Sequence, residues 1–283
     1  TEIPSEDVII KAGREVLNDT ANWKHGKSFH KNTVKTLSRK KGPKDGAAWH
    51  ARVSEHDKDE VTFEEFWDKL GKDKANNEMQ YIPEIEKVQL IKQISQNQSV
   101  WTLFYKFPPP VSPRVFTVVQ TIWFSETSPR TGIVVSVPVD VSGDPEAEKL
   151  EEKGVKGRYA SVERILELDN GKVEWRMATS STPGGNIPVF IAESSIPGSI
   201  ANVSPVVAFP TRDFIDRVLS QDVKHFLGWL KGVRGSKKAD ESATGDVAPA
   251  ATAEVHAAAA EESAVPNAAA AEASAPGAAA GVA

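Results

Sequence analysis

Residues 155–190 read VKGRYASVERILELDNGKVEWRMATSSTPGGNIPVF, and this stretch decides the fold. Two apolar, strand-forming segments flank Asp169-Asn170-Gly171, a strong tight-turn signal because Asn and Gly tolerate positive φ. Successive side chains of a strand point to opposite faces of a sheet. The residues that share a face are Tyr159, Ser161, Glu163 and Ile165 on the first segment and Trp175, Met177 and Thr179 on the second. We therefore expect a long antiparallel hairpin whose mixed face lines either a cavity or a core.

The composition is typical of a globular protein. The chain has 283 residues, of which 40% are hydrophobic and 26% charged, so it can form one large domain or two small ones. No segment approaches the ~18 consecutive apolar residues of a membrane-spanning helix. The first ten residues, TEIPSEDVII, lack the features of a secretory leader, so we expect a cytoplasmic protein, in part peripheral at membranes. The absence of cysteine excludes disulfides and thiolate chemistry.

The net charge of −5 is unevenly distributed. Residues 236–283 contain two Lys and seven acidic residues, which leaves 32 basic and 32 acidic residues in 1–235 from totals of 34 and 39. Domains that bind nucleic acids are usually basic as a whole. We therefore expect no nucleic-acid partner.

Residues 23–44 are the most basic stretch, with eight Lys and Arg and no acidic residue. One interpretation is transient contact with an anionic membrane, worth ~1 kcal/mol for each basic residue near the surface. The alternative, which we favour, is a solvated strand and loop balanced by acids elsewhere. The membrane-contact candidates are Lys35, Arg39, Lys40 and Lys41.

Residues 49–56, WHARVSEH, predict a strand with Arg52 and Ser54 on one face. His50 and His56 share that face and suggest a metal site. No third ligand has a recognisable spacing, so we expect a solvated strand face and no metal.

Helices are predicted at both ends of the chain and after this strand. Residues 5–18 have helical apolar spacing. Thr62 and Glu65 form a capping box, followed by an apolar stripe that ends at Gly71. Residues 194–232 are predicted to be mostly helical, and Pro205 and Pro210 favour a start of the clean amphipathic helix near Thr211. Strands are predicted over 84–94, 100–107, 114–124 and 132–141, and a loop or short helix over 143–154. The alanine-rich residues 236–283 have little to bury, so we expect a disordered tail.

The order of helices, about seven antiparallel strands and a long last helix resembles the helix-grip fold of the START and Bet v 1-like superfamily. More narrowly, residues 23–231 resemble a fungal START-like family of uncharacterised function. The motifs that carry this resemblance are WHARVSEH, TFEEFWDKLG, YIPEI, FPPPVSPRVFTVV, GRYASVERI, VEWRMATSSTPGGNIPVF and DVKHFLGWL. The resemblance implies an α+β fold, in which a curved sheet grips a C-terminal helix over a hydrophobic cavity, and it supplies no catalytic residues.

The domain boundaries follow from this resemblance. Residues 1–22 form an N-terminal helix, 23–235 the START-like ligand-binding domain and 236–283 the tail. Residues 202–220 have no counterpart in the family pattern, which predicts an insertion before the last helix. A retained intron and a genuine extension of the helix are both open explanations.

Glu163 is the central polar candidate. Burial raises the pKa of a carboxyl group, so Glu163 could act as an acid or base. We favour a structural ion pair with Arg52 or Arg114, and a contact with a ligand hydroxyl group is the next interpretation. Trp101, Tyr105, Trp175 and Met177 line an apolar pocket or an ordinary core. The ligand-binding candidates are Arg52, Trp101, Tyr105, Arg114, Tyr159, Ser161, Glu163, Trp175 and Met177.

We expect a protein that binds a lipid or other hydrophobic small molecule, with intracellular transfer as a further step and no cofactor. Burial of apolar ligand surface at ~25 cal/mol per Å² would supply most of the affinity. Two alternatives remain open: an enzyme of the cyclase or hydrolase type acting on a hydrophobic substrate, and a non-catalytic scaffold whose cavity has filled.

Overall fold

A computed structural model describes residues 2–107, 112–182, 184 and 212–244. The helices in these ranges are α1 (Glu6–Asp19), α2 (Phe63–Phe66, continued by the π-helical turn Trp67–Gly71), α3 (Lys74–Tyr81), α4 (Pro145–Leu150) and α5 (Arg212–Thr244). The strands are β1 (Lys24–Phe29), β2 (Val34–Arg39), β3 (Trp49–His56), β4 (Ile85–Gln93), β5 (Gln98–Tyr105), β6 (Arg114–Ser125), β7 (Thr131–Pro138), β8 (Val155–Lys156), β9 (Arg158–Glu167) and β10 (Val173–Thr182).

The β9–β10 hairpin confirms the prediction from residues 155–190. Met177 lies opposite Glu163 in an unbroken antiparallel register. At the turn, Gly171 has φ of 79°, and its amide donates to the carbonyl of Leu168 at 2.8 Å. A residue with a Cβ rarely adopts this backbone conformation, so the glycine sets both the turn and the register.

This hairpin lies at the centre of one curved sheet with the strand order β1-β2-β3-β10-β9-β7-β6-β5-β4. Every neighbouring pair in this order is antiparallel, and the short β8 pairs in parallel with β6. The predicted α+β helix-grip class is confirmed. The additional β1–β2 hairpin turns through His30, Lys31 and Asn32, with φ of 49°, 57° and 70°. The turn contains no glycine or proline, and Asn32 is its only residue that commonly adopts positive φ in turns, so the turn signal in the sequence is weak.

The sheet separates two hydrophobic layers. On the outer face, Ile9, Ile10 and Leu17 of α1 pack in one cluster with residues of the central strands. On the inner face, Val223, Phe226 and Leu230 of α5 pack with the other side of the same strands and with α2. Residues that alternate along a strand therefore contribute to two different layers.

The capping box of α2 is confirmed and also holds α5. The amide of Thr62 donates to the Glu65 carboxylate at 2.9 Å, and the Glu65 amide donates to the Thr62 hydroxyl at 3.2 Å. Arg234 of α5 donates through Nε to the same Glu65 carboxylate at 2.6 Å. One side chain thus caps α2 and fixes the C-terminal part of α5 on the inner face.

The last helix agrees with its predicted start and exceeds its predicted end. It begins at Arg212 and runs to Thr244, twelve residues beyond the predicted end at Gly232. Residues Thr1–Ala239 form one compact unit and Asp240–Ala283 a second. Most of the predicted tail, and residues 202–211 of the predicted insertion, lie outside the described residues.

Candidate functional site

All nine ligand-binding candidates belong to the inner face of the sheet, because their registers place them on the same side as Glu163. Arg52 and Glu163 both lie opposite Met177, on the two strands that flank β10. Toward one end, Ser161 lies opposite Ser136 of β7. These pairs create a polar band across the middle of the inner face.

Glu163 forms the expected structural ion pair, but the predicted partner was wrong. Its Oε1 lies 2.6 Å from Nζ of Lys74 on α3, and its Oε2 accepts a hydrogen bond of 2.9 Å from Nε1 of Trp175. Lys74 also pairs with Glu78 one turn further along α3. Glu163 is 3% exposed and Lys74 4% exposed, so this is a buried network of charges.

The residues of α3 were missed because a buried charged stripe resembles a solvated one. Lys74 and Glu78 have i,i+4 spacing, which usually marks a surface ion pair on an exposed helix. Tyr81, three residues later, continues the same stripe and is buried. A large aromatic residue on the same stripe as a charge pair is the sequence signal that could have indicated burial of α3. Only the fold shows that this stripe faces Glu163.

The charges of this network depend on each other. Burial opposes ionisation of Glu163, but Lys74 and Arg52 together outweigh it and hold the pKa of Glu163 below its usual range. Burial raises the pKa of Glu78, and the negative charge of Glu163 adds to this shift despite the attraction of Lys74. Burial also works against the Lys74 ammonium, yet the two carboxylates raise its pKa. Lys74 and Glu163 therefore stay ionised at neutral pH.

Arg52 is the second feature of the site. It is 1% exposed, and its guanidinium carbon lies 3.7 Å from the ring centroid of Trp175. Its Nε and Nη1 atoms are buried without a hydrogen-bond partner, and burial lowers its pKa. A buried charged donor without an acceptor is costly, so these two N–H groups are left unsatisfied at the centre of the site.

Asp222 of α5 faces the same charges and was not predicted as a site residue. It remains partly accessible to solvent, yet burial raises its pKa to about 7, because Glu78 and Glu163 add to the shift and the attraction of Arg52 only partly offsets it. Asp222 thus changes its charge near neutral pH, beside the guanidinium of Arg52.

The aromatic candidates divide between core and rim. Trp175 is 1% exposed and packs against Phe66 and Phe226 with ring centroids 5.3 Å away in each case. It belongs to the packed core and also forms the platform under Arg52. Tyr105 and Tyr159 both contact Phe116 edge-on, and burial raises the pKa of each phenol, so both stay neutral donors.

The remaining candidates lie at the ends of this face. Trp101 donates through Nε1 to the Ser99 hydroxyl at 2.9 Å and is half-buried. Arg114 is 5% exposed, its Nη1 donates to the carbonyl of Ser112, and its Nε has no partner. No ion pair joins Arg114 to Glu163 among the described residues, so the predicted alternative pairing was also wrong.

His56 is not on a solvated strand face as predicted. It is 2% exposed, with Nδ1 2.8 Å from the Glu60 carboxylate and Nε2 2.8 Å from the Ser54 hydroxyl. A serine hydroxyl, a histidine and a carboxylate linked in this order resemble an activated nucleophile with its base. However, Ser54 is 1% exposed, so a substrate cannot reach its hydroxyl group. We therefore assign the three residues a structural role. In the described part of the chain, no group of three acidic, His or Cys residues is placed to hold a metal ion.

The membrane-contact candidates are spread along β2 rather than clustered. Lys35 lies near the β1–β2 turn, whereas Lys40 and Lys41 follow the opposite end of the strand, ~17 Å away at ~3.4 Å per residue. All three are exposed. Arg39 differs, because its guanidinium pairs with Asp19 and Asp45 at 3.0 Å each. None of the helices in the described ranges is long and apolar enough to cross a membrane.

A sequence profile of the family described as "Protein of unknown function (DUF3074)" matches residues 49–209, more than half of the chain. The chain belongs to the DUF3074 family. The matched range contains Arg52, Lys74, Glu78 and Glu163, but not Asp222. No curated protein matches the chain in sequence.

The solved structures that resemble this DUF3074 chain include StAR-related lipid transfer proteins. Human StAR-related lipid transfer protein 5 has a TM-score of 0.61 and 14% sequence identity, over 81% of this chain and 96% of that protein. Human STARD10 has a TM-score of 0.59 and 12% identity, over 83% and 84% of the two chains. The STAR-related lipid transfer protein from Xanthomonas axonopodis has a TM-score of 0.50 and 16% identity, over 74% and 98%. At these identities the likeness establishes the START-type fold.

Proposed function

We propose that this DUF3074 protein binds a lipid or other hydrophobic small molecule on the inner face of its sheet. The molecule carries a hydrogen-bond acceptor, such as a carboxylate, that meets Arg52. The START-type fold supports a hydrophobic ligand, since the solved structures that share it include proteins named for lipid transfer. The polar band supports an orientation in which the apolar part of the ligand lies toward Tyr105, Tyr159 and Trp101.

The observation that carries this proposal is that two N–H groups of the Arg52 guanidinium, at Nε and Nη1, have no hydrogen-bond partner. Lys74 and Glu163 already balance each other at 2.6 Å, whereas Nε and Nη1 of Arg52 have no acceptor. Apolar ligand sites use a few placed polar groups to fix orientation. A ligand acceptor at this position would replace the lost hydration of a buried cation, and hydrogen bonds to charged groups are worth ~1.5–3 kcal/mol.

The test is a fluorescence titration with 11-(dansylamino)undecanoic acid, whose chain is apolar and whose end is a carboxylate. Arg52→Met keeps most of the side-chain volume and removes the donors, so it should weaken binding roughly ten- to hundredfold, as expected for one charged hydrogen bond. Arg158→Met, an exposed position of the same sheet, is the matched control and should bind like the unmodified protein. Equal affinity of both variants would exclude Arg52 as the ligand contact.

Transfer between membranes is the further step of this proposal. The exposed Lys35, Lys40 and Lys41 would attract anionic lipid, and His30 at the β1–β2 turn lies 3.0 Å from the carbonyl of Ser220 on α5. Contact of Lys35 with a membrane at this turn would therefore reach α5, which covers the inner face, whereas Lys40 and Lys41 would add attraction at the other end of β2. The paired Arg39 contributes less, because Asp19 and Asp45 neutralise it.

Vesicle flotation tests this step. Replacing Lys40 and Lys41 together with Gln removes two charges and should reduce binding to phosphatidylserine-rich vesicles roughly 30-fold, at ~1 kcal/mol per charge. Lys92→Gln, on the exposed edge strand β4, serves as the control. If the double variant and the control float equally, the basic segment is not the membrane contact.

A further inference from the structure

A cavity lies on the opposite face of the sheet from Arg52. It is a cleft of about 420 Å³ between α1 and the strands β7 and β9, which we call the outer cleft. Its helical wall is formed by Val8, Ala12 and Val16, and its sheet wall by Val137, Val139 and Ala160. The helical residues repeat every four positions and so form one stripe. Val8 is 58% exposed, so this apolar stripe is only partly covered.

The outer cleft stays open because α1 is fixed on both sides of it. At Gly13 the helix meets the sheet so closely that a Cβ would lie 2.6 Å from Val135. One residue later, the guanidinium carbon of Arg14 lies 3.9 Å from the ring centroid of Trp123. Before the helix, the carbonyl of Pro4 accepts a hydrogen bond of 3.2 Å from Gln98. These contacts hold the helix axis in place, so its short side chains cannot close the gap.

The size of the outer cleft restricts what can occupy it. Its volume falls within the ~300–1,000 Å³ of small-molecule sites. A single helical turn with its side chains fills a cylinder ~10 Å wide and ~5.4 Å long, which is about the same volume. A helix or a folded surface of another protein therefore cannot enter it, whereas one aliphatic chain can lie along the valine stripe.

The lining also restricts the polar end of the occupant. Among the described residues that line the outer cleft, Glu2 alone is charged, and it lies on an exposed segment at the rim. A carboxylate there disfavours an anionic head group and accepts a hydrogen bond from a hydroxyl group. The inner face has the opposite preference, because Arg52 presents unpartnered donors.

We propose that the outer cleft is a second ligand site, which takes a single-chain aliphatic molecule with an uncharged, hydroxyl-bearing end. This site does not depend on the proposed function of the inner face. Its walls are α1 and mainly the outward-facing residues of the strands, although Ser136 and Ser161 of the inner face also line it, and none of the charged residues around Arg52 lines it.

The experiment is a titration of the full chain with decan-1-ol, followed by the amide shifts of the isotope-labelled protein. Saturable shifts are expected at Val8, Ala12 and Val16 and at the facing sheet residues. Ala12→Leu fills the outer cleft from the helical wall and should raise the dissociation constant at least tenfold. Lys11→Leu adds a similar side chain at the exposed neighbouring position outside the cleft and should leave the dissociation constant unchanged. Leucine favours helices, so both variants keep α1 folded.

Two further arms separate the alternatives. Decanoate should shift the amides of α1 at least tenfold more weakly than decan-1-ol, even if it binds the inner face. Ala160→Leu, on the sheet wall, should reproduce the effect of Ala12→Leu. The proposal is overturned if Ala12→Leu and Lys11→Leu bind decan-1-ol equally. It is also overturned if no saturable shift appears at α1, or if the shifts follow self-association of the protein rather than the ligand concentration.

Discussion

Removing the ammonium group of Lys74 should be the most damaging single change at the inner face. Lys74→Met keeps much of the side-chain volume and leaves Glu163 and Glu78 without their shared cation. Glu163 is 3% exposed, so water cannot take over this role. Removing one partner of a buried ion pair typically costs ~3–5 kcal/mol of unfolding free energy.

The loss of unfolding free energy can be measured by thermal and chemical unfolding. For a domain of this size, each kcal/mol lowers Tm by roughly 2–4 °C, so Lys74→Met should lower Tm by roughly 6–20 °C at pH 7.5. Lys72→Met is the matched control, because the Lys72 side chain is 63% exposed and its pairing with Asp68 is at 3.6 Å. A surface pair of this kind contributes ~0–1 kcal/mol. The double variant Lys74→Met/Glu163→Gln should recover part of the loss, since it removes one stranded charge.

The destabilisation caused by Lys74→Met should also depend on pH, and it should become smaller as the pH falls. In the unmodified protein the pKa of Glu163 is depressed, so its stabilising contribution is present above the unfolded value and is lost as pH falls through the folded value. Without Lys74, burial raises the pKa of Glu163 instead. The folded variant then gains stability as pH falls from 7 to 5, and the penalty of Lys74→Met shrinks. If Lys74→Met lowers the unfolding free energy by less than ~1 kcal/mol, or by the same amount at pH 5 and pH 7.5, the buried charge network is not formed in solution.

Three further outcomes are expected. Asp222 has a folded pKa of about 7, well above its unfolded value, so its neutral form stabilises the protein at low pH and this contribution is lost as pH rises from ~4 to ~7. Asp222→Asn should therefore flatten the pH dependence of the unfolding free energy between pH ~4 and ~7 and raise that free energy by ~1–3 kcal/mol at pH 8. An unfolding free energy with the same pH dependence as that of the unmodified protein would contradict this. In titrations of the unmodified protein, 11-(dansylamino)undecanoic acid should bind more tightly at pH 6 than at pH 8, because protonation of Asp222 removes a negative charge beside Arg52, and Asp222→Asn should abolish this difference. Thr62→Ala removes the α2 cap and should cost ~1 kcal/mol in chemical unfolding, whereas an unchanged midpoint would show that the cap is not formed in solution.

The sequence predicts most of the fold because the strongest local signals agree with the global arrangement. Residue type and spacing predict three of these features: the turn at Gly171, the capping box at Thr62 and the start of the last helix after Pro210. The β1–β2 hairpin was not, because positive φ at His30, Lys31 and Asn32 is imposed by the strand pairing rather than by glycine.

The site was predicted in part, for a physical reason. Alternation along a strand places Arg52, Glu163 and Met177 on one face once the register is known. It does not tell which helix covers that face, so the sequence does not single out Lys74 or Glu78, and it predicts the ion pair of Glu163 with Arg52 or Arg114. Burial of His56 was missed likewise, because its strand is covered by α2 and α5 only in the folded chain.

The most direct test of the central claim is native mass spectrometry of the protein purified without added lipid. We predict that the unmodified protein and Arg158→Met each carry a bound hydrophobic molecule with a hydrogen-bond acceptor group, and that Arg52→Met carries much less of it. A ligand-free mass for all three proteins, together with no saturable binding of the dansyl probe, would contradict it.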